Sequence, residues 1–173
     1  MKRVLLAIFL LPAFSGEIVF SHADNLSIHS IPSDEIAFKS LASAATALLE
    51  PHGPTVYIAS SKNDLSSFIA LLSEKHQQKI KKHDFSGQPI LAVFAGAKGS
   101  SGYEIEVKRI FRTKDGFRII VRQTSPKPDD YGLEVLTSPY HLVTFQTSDL
   151  NCVKGVTWVL EDTSGARLAT GRS

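Results

Sequence analysis

The stretch Tyr103-Glu104-Ile105-Glu106-Val107-Lys108-Arg109-Ile110-Phe111 runs on through Asp115-Gly116 into Phe117-Arg118-Ile119-Ile120-Val121-Arg122. Tyr103, Ile105 and Val107 alternate with Glu104, Glu106 and Lys108, the period of two that gives a strand one buried and one wet face. At Arg109-Ile110-Phe111 the phase shifts, as a β-bulge requires. Phe117, Ile119 and Val121 then alternate with Arg118 and Arg122, and Asp115-Gly116 supplies the turn residues of a hairpin. Two antiparallel strands with one solvated face therefore set the fold class.

Working upstream, the continuous apolar run Pro89-Ile90-Leu91-Ala92-Val93-Phe94-Ala95 predicts a strand covered on both faces, in the middle of a sheet. Before it, Leu65, Phe68, Ile69 and Leu72 recur at i, i+3, i+4 and i+7, with Asn63 or Asp64 as N-cap, which predicts a helix with one apolar face. Over the basic continuation Glu74 to Lys82, where Ile80 is the lone aliphatic anchor, that helix is expected to fray or end. Thr55 to Ala59 is rich in β-formers and follows Pro51-His52-Gly53-Pro54, and Ile36 to Leu41 is a second short apolar stretch. Ala42 to Glu50 suits a helical turn and a strand equally. Downstream, Tyr140 to Gln146 reads as a strand, and Val156 to Glu161 with Ala166 to Thr170 reads as a hairpin closed by Asp162-Thr163-Ser164-Gly165. The expected class is α+β, mainly antiparallel β-sheet with one packed amphipathic helix.

With 173 residues, 43% of them hydrophobic, the chain suits one globular domain that needs neither disulfides nor metal to build its core. Lys+Arg 19 against Asp+Glu 17 is too even a balance to make nucleic acid the partner. Met1-Lys2-Arg3, the apolar run Val4 to Phe14 and Ser21-His22-Ala23 have the three parts of a signal peptide, residues 1–23, with cleavage expected after Ala23. A retained anchor is the lesser alternative, because Pro12, Ser15, Gly16 and Glu17 interrupt the run before the roughly 20 residues a bilayer span requires. The expectation is an extracytoplasmic protein, periplasmic or secreted, with no stable membrane anchor after cleavage. A globular domain is expected over 24–150, and a C-terminal hairpin or tail over 151–173. Cys152, the single cysteine, reads as a small buried hydrophobe.

Gly96-Ala97-Lys98-Gly99-Ser100-Ser101-Gly102 invites a phosphate-loop reading, but Lys98 precedes the Ser pair and a strand follows, so the spacing fails. A nucleophile elbow is absent for the same reason. His76 and His83 lie seven apart, and Lys75, Lys79, Lys81 and Lys82 around them would repel a cation. No histidine has a local Ser or Cys partner, and Asp129-Asp130 lacks the ligand pattern of a calcium loop. The expectation is no catalytic residues, no cofactor and no metal. Ser125-Pro126-Lys127-Pro128-Asp129-Asp130-Tyr131-Gly132 and Ser138-Pro139-Tyr140-His141 are proline-stiffened connectors. Their plain reading is punctuation at strand ends, and their functional reading is a stiff surface for another protein. On the functional reading the partner-binding residues are Gly99, Ser100, Ser101, Gly102, Tyr103, Pro126, Pro128, Tyr131, Pro139 and Tyr140.

Asp84-Phe85, then Val93-Phe94-Ala95-Gly96, then Gly99-Ser100-Ser101-Gly102-Tyr103-Glu104-Ile105, then Pro126 and Thr137-Ser138-Pro139-Tyr140-His141-Leu142-Val143 together resemble the C-terminal domain of the PrcB family, over about 84–146. The resemblance implies an exported accessory subunit or chaperone-like partner of an extracytoplasmic protease, acting by binding another exported protein. Ser100-Ser101 stand where that family often has Thr-Gly, and the lipoprotein Cys of some members is missing. The Gly99 to Tyr103 turn also resembles the Thr-Thr-Gly-Tyr loop of chagasin-like peptidase inhibitors, which is the alternative function.

Overall fold

A computed structural model describes residues 34–47, 51–127, 129, 133–146 and 155–172. The signal-like segment, Pro128, Tyr131 and Cys152 lie outside the described residues.

Among the described residues, eight strands make two four-stranded sheets. The first has the order β1-β6-β3-β2, from Phe38–Ala44 (β1), Thr55–Ala59 (β2), Ile90–Phe94 (β3) and Tyr140–Phe145 (β6), antiparallel throughout. The second has the order β4-β5-β7-β8, from Glu104–Thr113 (β4), Gly116–Thr124 (β5), Thr157–Asp162 (β7) and Arg167–Arg172 (β8). Here β5 and β7 run parallel, whereas the other pairs are antiparallel. The class is α+β.

The inward residues of the hairpin meet the first sheet. Ile105, Val107, Ile110, Phe117, Ile119 and Val121 pack with Leu91, Val93, Val143 and Phe145, and Trp158 and Leu160 join them from β7. Burying each such side chain contributes about 1.5–3 kcal/mol. On the far side of the first sheet, Ile90, Ala92, Phe94, Tyr140 and Leu142 meet Leu65, Phe68, Leu72 and Ile80 from the helical layer. Because both of its faces are covered, every residue of β3 and β6 is buried, as the unbroken apolar run of β3 requires. The bulge in β4 falls between Val107 and Arg109. Phe111 points outward beyond it, yet is covered by the Arg109 and Arg118 guanidinium groups at 4.5 and 4.7 Å from its ring.

The helical layer corrects the sequence reading. Leu65, Phe68 and Leu72 face the core as their spacing requires, but their segment forms two 3-10 turns, Lys62–Ser67 and Ile69–Leu71. The α-helix, α1, is Glu74–Lys81, where fraying was expected. Serine hydroxyls explain the difference: Ser66 Oγ donates to the Asn63 carbonyl and Ser67 Oγ to the Asp64 carbonyl. These local bonds favour a tighter turn over the i to i−4 ladder. Extended backbone at Leu72 then separates the turns from α1, which Ile80 pins to the sheet.

Candidate protein-binding rim

The β3–β4 loop and the β5–β6 connection come together at one end of the molecule. Lys98 and Thr137 exchange backbone hydrogen bonds, with the Lys98 N–H donating at 2.7 Å and the Thr137 N–H at 2.9 Å. Ser101 N–H donates to the Leu133 carbonyl at 3.0 Å, Leu133 N–H donates to Ser101 Oγ at 2.9 Å, and Thr137 Oγ1 donates to the Ser100 carbonyl at 2.8 Å. Two glycines allow close approaches to this loop, Gly102 to the β5–β6 connection and Gly96 to the β1–β2 connection. At Gly96, φ is +74° and a Cβ would stand 2.6 Å from the Gly53 carbonyl carbon; at Gly102, φ is +89° and a Cβ would stand 3.0 Å from Pro126 Cβ.

Of the sequence-predicted residues, Gly99 and Gly102 are exposed, and Ser100, Ser101, Tyr103 and Pro126 are half-buried. Lys98 Nζ sits 5.7 Å from the Tyr103 ring centre. Pro139 and Tyr140 require correction, because both are buried. Tyr140 occupies β6, between β1 and β3 in a sheet covered on both sides, so its ring enters the core beside Phe94. Its hydroxyl lies 2.8 Å from His76 Nδ1 and accepts the Ser73 N–H at 3.4 Å, tying α1 to the sheet. Tyr140 is an internal strut and not a contact residue.

Sequence reasoning missed Leu133, Val135 and Leu136, which are 69%, 45% and 67% exposed. Val135 N–H donates to the Leu133 carbonyl at 2.9 Å, a tight turn within the run. The available signal was three aliphatics within four residues in a connector that shows no strand alternation.

Elsewhere, Ser40 and His141 form a pair beside a cavity of about 410 Å³ that Glu104 and Glu106 also line. Ser40 Oγ lies 2.8 Å from His141 Nε2, and His141 Nδ1 accepts the Val107 backbone N–H at 2.9 Å. An amide can only donate, so Nδ1 carries the lone pair and the neutral ring carries its proton on Nε2. That proton points at Ser40 Oγ, so the imidazole cannot take the serine's proton. Burial pushes the His141 imidazole below its ordinary value, with the Glu106 carboxylate opposing more weakly. Glu106 is itself held low by hydrogen bonding to Lys108, with Arg122 adding to the effect.

His76 and His83 are engaged separately, His76 with Tyr140 and His83 Nε2 at 2.8 Å from the Gln88 carbonyl. Among the described residues, no group of three His, Cys, Asp or Glu side chains could hold a metal ion.

Residues 90–146 match the family model described as PrcB C-terminal. The chain is similar to that family over this segment alone. The matched segment opens with β3, closes one residue past β6 and contains the whole rim. No curated protein and no solved structure matches the chain.

Proposed function

We propose that the chain is an exported, non-catalytic binding domain that serves as an accessory subunit or chaperone-like partner of an extracytoplasmic protease. It contacts another exported protein through the 97–103 and 133–137 rim. The observation that carries this reading is the exposure of Leu133, Val135 and Leu136 on backbone held by reciprocal hydrogen bonds. Apolar side chains already fixed in place lose little entropy on binding, and clustered exposure of this kind marks interaction sites. The PrcB match supports association with a protease complex. The proton position on His141 favours binding over hydrolysis at the Ser40 pair.

Affinity purification of the full chain from its native envelope tests the proposal. A co-eluting protein that is lost with Leu133→Asp and Leu136→Asp is the expected result. Repeated recovery as a lone monomer would sink it.

A second reading, peptidase inhibition of the chagasin-like kind, is favoured by the exposed apex at Gly99 and Gly102 beside the braced Tyr103. Inhibition of a cysteine or serine peptidase that weakens in Gly102→Arg supports it, and absence of inhibition across both classes removes it.

A further inference from the structure

Folded sheets protect their edges, because unpaired strand groups invite another chain to add itself. Three of the four edges here are managed. Along β4, the Ile36 N–H donates to the Ile110 carbonyl, the Arg112 N–H to the Asp34 carbonyl, and the Val107 N–H to His141. The β1 edge is broken by a register shift between Ser40 and Ala42, carries Lys39, and receives Lys79 Nζ at the Leu41 carbonyl. The β8 edge carries Arg167 and Arg172.

The fourth edge, β2, has none of these devices. Its sequence Thr55-Val56-Tyr57-Ile58-Ala59 has no charge and no proline, and its pairing with β3 is unbroken. Among the described residues, no hydrogen bond reaches its outer edge. A groove of about 590 Å³ runs along it. Asn63, Asp64, Ser66 and Ser67 of the 3-10 turn form one wall, with the Asp64 carboxylate accepting the Ser60 N–H and the Ser61 hydroxyl, and Trp158, Gly171 and Arg172 form the other. Gly171 is required there, because a Cβ would stand 2.3 Å from the Trp158 ring.

We propose that this groove binds an extended peptide segment of another polypeptide, which adds to the first sheet as a fifth strand beside β2. The unmet ladder groups of β2 dictate an extended backbone. Side-chain alternation then sets the sequence. Val56 and Ile58 face the core between the sheets, so one set of peptide side chains is apolar and lies near Trp158. Tyr57 faces the helical layer, so the other set lies near Ser66 and Ser67 and is small or polar. Arg172, oriented by its Nε donating to the Gly155 carbonyl at 2.8 Å, places a positive charge at the groove's margin and selects an acidic group at that end of the peptide. The walls on both sides of β2 admit a single strand more readily than the edge of a second folded copy.

The test is selection of random peptides of about seven residues, displayed on phage, on the full chain with counter-selection on Ser66→Trp, which fills the groove from an exposed position. Enriched sequences should alternate apolar residues and carry Asp or Glu at one end. A synthetic winner should bind wild type and lose roughly tenfold or more in affinity with Ser66→Trp, with Arg172→Glu and on N-methylation of its alternate amides, but not with Leu133→Asp. Matched thermal unfolding of the variants guards against misfolding. Failure to enrich any sequence, equal binding of the N-methylated peptide, or a concentration-dependent dimer abolished by Ser66→Trp would each overturn the proposal.

Discussion

His141 Nδ1 accepts the Val107 backbone N–H at 2.9 Å, joining a central strand of one sheet to the edge strand of the other. Replacing the ring with a methyl group strands a buried amide and opens a void between β6 and β4. His141→Ala should cost about 2–4 kcal/mol in chemical denaturation. If instead the variant keeps its stability, the cross-sheet bond is dispensable.

The same bond makes stability depend on pH. Burial lowers the affinity of His141 for a proton, and burial with the nearby Lys75 and Lys79 charges does the same for His76. Both rings therefore bind protons more weakly folded than unfolded, so the unfolded chain takes up more protons as pH falls. Their contribution is complete above the ordinary imidazole value of about 6.5 and is lost as pH drops through their lowered folded values. The lowered carboxylates Glu35 and Glu106 act in the same direction only at still lower pH. The denaturant midpoint should fall between about pH 7.5 and about pH 5, and His141→Gln should flatten that slope. A midpoint that rises on acidification contradicts the assignment.

Tyr140→Phe removes only the hydroxyl that meets His76 and Ser73. The expected loss is about 1 kcal/mol, with faster amide exchange confined to α1. Uniform faster exchange, or loss of partner binding without any effect on α1, would return Tyr140 to the surface role.

Two glycine substitutions separate clash from backbone strain. A Cβ on Gly116 would stand 1.8 Å from the Thr157 carbonyl oxygen, whereas one on Gly165, at φ +87°, meets no atom within 4 Å. Gly165→Ala should cost about 1 kcal/mol and Gly116→Ala at least about 3 kcal/mol, read by thermal unfolding. Equal effects would mean that the β5–β7 pairing is looser than described.

At the rim, Leu133→Asp and Leu136→Asp should leave stability within about 0.5 kcal/mol of wild type, because both side chains already face solvent. A large loss of stability would mark them as structural.

Much of the fold was legible because burial writes itself as periodicity. The alternation from Tyr103 to Arg122 gave the hairpin and its bulge, and the run Ile90 to Phe94 gave a strand flanked on both sides. Short-range chemistry was harder to read: the spacing of Leu65, Phe68 and Leu72 is shared by α-helices and by 3-10 turns packed on a sheet, and serine hydroxyls decided between them. The parallel pairing of β5 with β7 left no local trace, since register across a long connection is a tertiary property. For the rim, Gly and Pro signalled turns, but no pattern in Pro139-Tyr140 distinguishes a buried strand start from an exposed one. The aliphatics at 133–136 were overlooked because exposure is a property of the folded chain.

The order of the strands along the chain has a consequence for synthesis. By the time the matched segment is complete, the second sheet still holds only β4 and β5, and Phe117 and Ile119 have yet to meet Trp158 and Leu160. Every residue of the cluster on the helical side, from Ala42 to Leu142, precedes β7, so that side can close before the cluster between the sheets is complete. Residues 90–146 expressed by themselves lack β1, β2, α1, β7 and β8, so they should remain unfolded.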